Sequence, residues 1–156
     1  MEERIMIIDK MLKGQELFAS LSVDEVYLTS TFSSVKEFEA DEIIFDYNQA
    51  SSHFYVLLEG GVYLQLPGKT SEFSFAVLKV EQGELFGLSP LLDSPRYTAT
   101  AKCYKPTKVL SIEAKPFRDL LRENCPAGLD IINRVARIYF NRYINILSRL
   151  QEAVTF

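Results

Sequence analysis

The chain has 156 residues, 47% of them hydrophobic and 12% aromatic, with a formal net charge of −4. That length holds one domain with a real core, and the composition excludes a disordered chain. The negative charge argues against a surface built to hold nucleic acid.

The charge is uneven: residues 1–50 carry 4 Lys/Arg against 11 Asp/Glu, and residues 126–156 carry 4 Arg against 2 acids. The start, Met1-Glu2-Glu3-Arg4, lacks the basic and apolar segments of a signal peptide. No apolar run approaches the ~20 residues that span a bilayer, so a cytoplasmic protein is expected. The two cysteines, Cys103 and Cys125, have no metal-ligand spacing. Reduced structural thiols are expected, with a disulfide or redox pair as the alternative.

In chain order, residues 1–32 read as helices. Ile5, Ile8 and Leu12 recur at helical spacing and Gly14 stops the pattern. Ser22 followed by Glu25 is a capping box that predicts a short helix to about Ser30. From Ser33 to Ile112 short alternating runs are separated by turn residues, the texture of strands. Ile43-Ile44-Phe45 leads into the turn Asp46-Tyr47-Asn48-Gln49, where Asn48 suits a positive φ. Phe54, Val56 and Leu58 face one way, Tyr55 and Leu57 the other, before Gly60-Gly61 reverses the chain into Val62, Leu64 and Leu66. Pro67-Gly68 precedes Phe73, Phe75 and Val77; Thr98-Ala99-Thr100 and Val109 to Ile112 supply later strands. Helix then returns, short over 115–124 with Phe117, Leu120 and Leu121 buried, and long over 126–153 after Pro126. The order predicts an α+β fold, one domain over 1–156 with no interior linker: an antiparallel β-roll (a double-stranded β-helix or jelly roll) between N-terminal helices and a long C-terminal helix.

The long helix carries a heptad series: Leu129, Ile132, Ala136, Tyr139, Tyr143, Ile146 and Leu150 are spaced 3, 4, 3, 4, 3, 4. A second apolar set, Ile131, Val135, Ile138, Phe140, Ile144 and Leu147, lies on other faces. The expected arrangement lays one face on the roll and pairs the other with a twin helix in a homodimer. A wholly buried helix within a monomer is the alternative.

Two stretches resemble a known family. His53-Phe54-Tyr55-Val56-Leu57-Leu58-Glu59-Gly60-Gly61-Val62 resembles the central hairpin of cyclic-nucleotide-binding domains. The run from Gly83 to Leu92, followed by Pro95-Arg96-Tyr97-Thr98-Ala99-Thr100-Ala101, resembles their phosphate-binding cassette. The likeness covers nearly the whole chain and is greatest to the sensor half of transcription regulators of the cyclic-AMP receptor protein and fumarate-nitrate regulator type. The resemblance implies a cassette whose backbone amides and short helix turn toward an anion. It also implies a Glu for the ribose hydroxyl and an Arg for the cyclic phosphate.

This sequence departs from the family at both anchors. The Phe-Gly-Glu signature reads Phe86-Gly87-Leu88, and aligning Ala99-Thr100 puts Tyr97 at the phosphate Arg. Arg96 is one residue early, which on a strand is the opposite face unless a bulge rescues it. Leu88 cannot accept a sugar hydroxyl. The candidate effector-binding set is Gly87, Leu88, Ser89, Arg96, Tyr97 and Thr98, with Tyr97 offering a ring and a hydroxyl. An aromatic or weakly acidic small molecule suits that lining better than a cyclic nucleotide.

His53, the lone histidine, reads as a surface or hairpin residue, with metal ligation as the alternative. Asn141, Asn145 and Ser148 read as solvated helix groups, with a reach into the pocket as the alternative. No nucleophile motif, Cys/His pair or nucleotide-hydrolase loop is present, so neither an enzyme nor a metal or cofactor is expected. The expected function is an effector-sensing, dimerising regulatory domain of a bacterial transcription regulator. DNA contact is expected from a separate domain absent here, because in the family a helix-turn-helix follows the long helix and this chain stops at Phe156. The alternative is a free-standing interaction module with no DNA-binding role.

Overall fold

A computed structural model describes residues 2–69 and 74–154. Helix α1 (Glu2–Lys13) buries Ile8 and Leu12; a 3₁₀ turn (Glu16–Phe18) buries Leu17 and Phe18; helix α2 (Val23–Thr31) follows. Both bonds of the capping box form: the Ser22 amide donates to Glu25 Oε1 at 2.8 Å, and the Glu25 amide to Ser22 Oγ at 3.2 Å.

The strands are β1 (Ser33–Phe38), β2 (Ile43–Phe45), β3 (His53–Glu59), β4 (Val62–Pro67), β5 (Ser74–Val80), β6 (Leu85–Phe86), β7 (Thr100–Cys103) and β8 (Thr107–Glu113). Helices α3 (Ala114–Glu123) and α4 (Cys125–Ala153) close the chain. The strands form two antiparallel four-stranded sheets, in the orders β1-β8-β3-β6 and β2-β7-β4-β5. This is the β-roll that the turn-punctuated strand texture predicts.

The alternation along β3 and β8 divides the core in two. Phe54, Val56, Leu110 and Ile112 pack against the helices, with Phe18, Phe117 and Ile131. Tyr55, Leu57 and Val109 face the other sheet, with Phe45, Val62 and Phe86. Period-two side-chain direction is the cause: one strand buries both faces when helices cover its outer side. Each fully buried Phe or Leu in these clusters contributes about 1.5–3 kcal/mol.

One local reading changes. Thr98 and Ala99 precede β7 rather than open it, because residues 95–97 are bonded to the turn after β2. The Ser51 amide donates to the Pro95 carbonyl at 3.0 Å, and the Tyr97 amide to the Gln49 carbonyl at 2.9 Å. Asn48 does take positive φ, at 68°. The two-residue strand β6 carries no period of its own and is held by pairing with Tyr55 and Val56. Phe73 lies outside the described residues; Phe75 on β5 is exposed.

Helix α4 starts at Cys125, with Asn124 as N-cap and Pro126 in the first turn, where its missing N–H is not needed. Gly128 lets α4 approach α3: a Cβ there would stand 2.8 Å from the Leu121 carbonyl oxygen. Asn124 has a second task. Its Nδ2 donates to both carboxylate oxygens of Glu25 at 3.0 Å, joining the start of α2 to the start of α4.

The bond from the Ser22 backbone, followed by that from Asn124, holds the Glu25 carboxyl below its ordinary pKa against opposing desolvation. A depressed folded-state pKa stabilises the protein above the unfolded value, and that stability is lost as pH falls through the folded value. Glu25→Ala is expected to cost about 1 kcal/mol at pH 7. The difference from wild type should shrink steadily below the ordinary glutamate range, read by urea unfolding across a pH series.

Candidate functional site

A cavity of about 280 Å³ lies between the β2-β7-β4-β5 sheet and the outer half of α4. Its sheet wall is apolar: Leu64 and Leu66 from β4, Val77 and Leu78 from β5. Phe45, at the end of β2, forms the inner wall. The segment Gly87–Ser89 and the segment Tyr97–Ala99 form one side, and Tyr139, Arg142, Tyr143 and Ile146 of α4 form the roof.

An aromatic stack sets the depth of the cavity. The Phe45 ring lies 3.9 Å from the Tyr97 ring, nearly parallel to it, and also stacks on Tyr55 and Phe86. Tyr97 is held at both ends. Its hydroxyl donates to the His53 carbonyl at 2.5 Å and accepts from the His53 amide at 3.2 Å. Its backbone carbonyl accepts from the Asn48 amide at 2.9 Å. Tyr97 therefore presents only its ring to the cavity; the hydroxyl expected there is committed to the first residue of β3.

Gly87 turns the chain with φ of +67°. A Cβ at that position would stand 2.9 Å from the Phe45 ring and 3.0 Å from the Tyr55 ring. Leu88 follows, fully buried, joining the helix-side core while also lining the cavity. The turn Ser89–Leu92 is a four-residue 3₁₀ segment, too short to carry much dipole. Arg118 of α3 fixes this turn by donating to the Pro90 carbonyl at 3.2 Å and to Asp93 Oδ1 at 2.8 Å.

Five of the six candidate effector-binding residues meet at the cavity: Gly87, Leu88, Ser89, Tyr97 and Thr98. Arg96 does not line it. The single bridge pairing Arg96 with Ala50 sends the side chain outward, where Nη1 donates to the Asn48 carbonyl at 2.7 Å. Asn141, Asn145 and Ser148 are exposed and also stand off the cavity. His53 pairs through Nδ1 with Ser52 Oγ at 2.7 Å, and desolvation lowers its pKa. No His/Cys/Asp/Glu group suited to a metal occurs among the described residues. Cys103 and Cys125 are both free.

The heptad residues of α4 fall into two groups. Leu129, Ala136, Tyr143 and Leu150 are exposed, while Ile132 is half-buried. Tyr139 and Ile146 turn toward the roll and line the cavity, and Phe140 and Leu147 stand exposed beside the strip.

Arg142 escaped the sequence reading. It continues the roll-facing stripe Gly128, Ile131, Val135 and Ile138 at the same 3-4 spacing, and that was the signal available. Its Nη2 donates to the Leu85 carbonyl. Burial works against its charged form, with Glu84 the main group opposing that effect.

Gly87→Ala is expected to cost about 1–3 kcal/mol, since the side chain meets both a left-handed backbone and two ring edges. Thermal melts of wild type and variant measure it.

The sequence model described as "Cyclic nucleotide-binding domain" matches residues 35–124. Among solved structures, a protein assigned to cyclic nucleotide binding in Geobacter metallireducens superposes with a TM-score of 0.75 at 29% identity, over 86% of this chain and 97% of that one. The sensor domain of the transcriptional regulator DNR from Pseudomonas aeruginosa gives 0.73 at 19%, over 90% and 91%. The regulatory subunit of a cAMP-independent protein kinase A from Trypanosoma cruzi, bound to guanosine, gives 0.75 at 18%, over 97% of this chain and 52% of that one. A search of curated proteins finds no match. With its roll, its cassette turn and a family match over more than half its length, the chain belongs to the cyclic nucleotide-binding domain family.

Proposed function

We propose that this chain is the effector-sensing, dimerising regulatory domain of a bacterial transcription regulator. Its effector is a small molecule other than a standard cyclic nucleotide, and a separate domain contacts DNA. The reading is of a regulatory rather than a catalytic protein, acting in the cytoplasm; among the described residues no helix is long and apolar enough to cross a membrane.

The observation that carries the effector reading is the lining of the cavity. Leu88 and Tyr97 occupy the two positions where the family's sequence pattern places a carboxylate and a guanidinium, and both are buried. A ribose hydroxyl left without its acceptor costs about 1–3 kcal/mol. A cyclic phosphate facing apolar side chains loses its charge-assisted partner as well. The volume of about 280 Å³ lies at the small end of ligand pockets and suits a compact, largely apolar molecule.

Titration calorimetry with cyclic AMP and cyclic GMP is expected to give no binding below millimolar concentration. A dissociation constant in the low micromolar range, abolished by Arg96→Ala, would overturn the reading and make Arg96 the phosphate ligand.

The dimer reading rests on the exposed apolar strip of α4. Leu129, Phe140, Tyr143, Ile144, Leu147 and Leu150 all stand in solvent, a patch larger than scattered surface residues explain. A parallel twin helix about a two-fold axis covers it. Phe140→Glu places a charge on each side of such an axis without touching the cavity. Sedimentation is expected to show a dimer for wild type and a monomer for the variant at micromolar concentration, with far-UV dichroism unchanged. A monomeric wild type would refute the dimer.

A further inference from the structure

Among the described residues, Arg142 is the one charged residue lining the cavity. The rest of the lining is mostly apolar and aromatic, with Leu64, Leu66, Val77, Leu78 and Ile146 among it, and its other polar side chains, such as Ser89 and Thr98, are neutral. Among the described residues no carboxylate pairs with it within ion-pair distance. Glu84, whose field it feels, is exposed, and its Oε1 accepts from the Glu81 amide at 2.6 Å. The guanidinium donates to a neutral backbone carbonyl, that of Leu85. A guanidinium has five N–H donors, so this bond leaves capacity for a planar two-oxygen acceptor. Holding a cation in such a place is unfavourable unless something neutralises it.

We propose that Arg142 recognises the head group of the effector, and that the effector is a small amphipathic carboxylate whose apolar body fills the space between β4, β5 and the Phe45–Tyr97 stack. This rests on the reading that the cavity is the effector site, and it deepens that reading by naming the charge and the chemical class. The cation comes from the long helix instead of the cassette, where Arg96 points away. The ligand's acidic end therefore lies at α4 and its apolar end against the sheet. The arrangement also favours anions of one head group and an apolar tail over polyanions, since among the described residues a second charge would find no second cation on the lining, which is otherwise hydrocarbon, ring faces and the neutral Ser89 and Thr98.

The test uses butanoate, hexanoate and octanoate beside butanamide, hexanamide and octanamide, titrated by calorimetry and by backbone-amide NMR. In wild type each acid is expected to bind about ten- to a hundredfold more tightly than its amide, the margin of a charge-assisted bond in a sheltered site. Each two-carbon extension should tighten binding about tenfold in both series. Arg142→Met should abolish the preference for acid over amide while the chain-length gradient persists, and Arg142→Lys should keep part of the preference. Thermal melts establish that both variants fold. If acids and amides bind alike in wild type and shift the resonances of Tyr97 and Ile146, the cavity is the effector site and Arg142 is not its anion reader. If Arg142→Met leaves the preference intact, another group reads the carboxylate and the proposal falls. If no probe shifts any cavity resonance at 10-fold molar excess and millimolar concentration, about the weakest range calorimetry distinguishes from none, the proposal and the cavity reading fall together.

Discussion

Strand β3 is buried on both faces, and the rest of the molecule is arranged around that constraint. Phe54 and Val56 reach the helices, while Tyr55 and Leu57 reach the opposite sheet. A strand so placed cannot slip by one residue, because a slip would exchange the two sets and drive Tyr55 into the helix-side core. Its first residue is fixed as well: His53 exchanges two backbone bonds with the Tyr97 hydroxyl. The register of β3 thereby sets the height of Tyr97, Tyr97 sets the position of Phe45, and their stack forms the inner wall of the cavity.

An aromatic ring at position 97 bears on more than one contact. A cassette Arg would project charge into the roll, where hydrophobic walls weaken screening and an anion is strongly held. Tyr97 projects none. It adds stacking area and two hydrogen bonds to β3, so the segment contributes to packing as well as to the cavity wall. Leu88 has the same double role, for it lines the cavity and is also a full member of the helix-side core. Both side chains favour the rigidity of the roll over polar contact, and among the described residues the cation on the cavity lining, Arg142, stands on the opposite wall.

The parts of the fold legible in the sequence were those fixed by short-range physics. The Ser22–Glu25 capping box, the positive φ at Asn48 and the alternation along β3 each follow from a few neighbouring residues and are present as read. The outward turn of Arg96 was legible as one arm of an alternative, because period two separates it from Tyr97. The start of β7 was not, since Thr98 and Ala99 look like strand residues and are kept out of the strand only by bonds between residues 48–51 and 95–97. The committed hydroxyl of Tyr97 was hidden for the same reason: its partner His53 is 44 positions away.

Arg142 illustrates a different limit. A heptad pattern reports which residues share a face; it does not report which of two faces meets the roll. On α4 the stripe Gly128, Ile131, Val135 and Ile138 packs inward, so the next position at that spacing must face the cavity whatever residue occupies it. The same geometry gives Tyr143 two settings at once. It is more than half exposed on the apolar strip, at 56%, and it lines the cavity one residue beyond Arg142. In a dimer of the proposed kind, a molecule in the cavity and the partner helix would both touch that ring. A ligand moves an equilibrium only through contacts that differ between its states, and a shared side chain supplies such a difference without any intervening pathway.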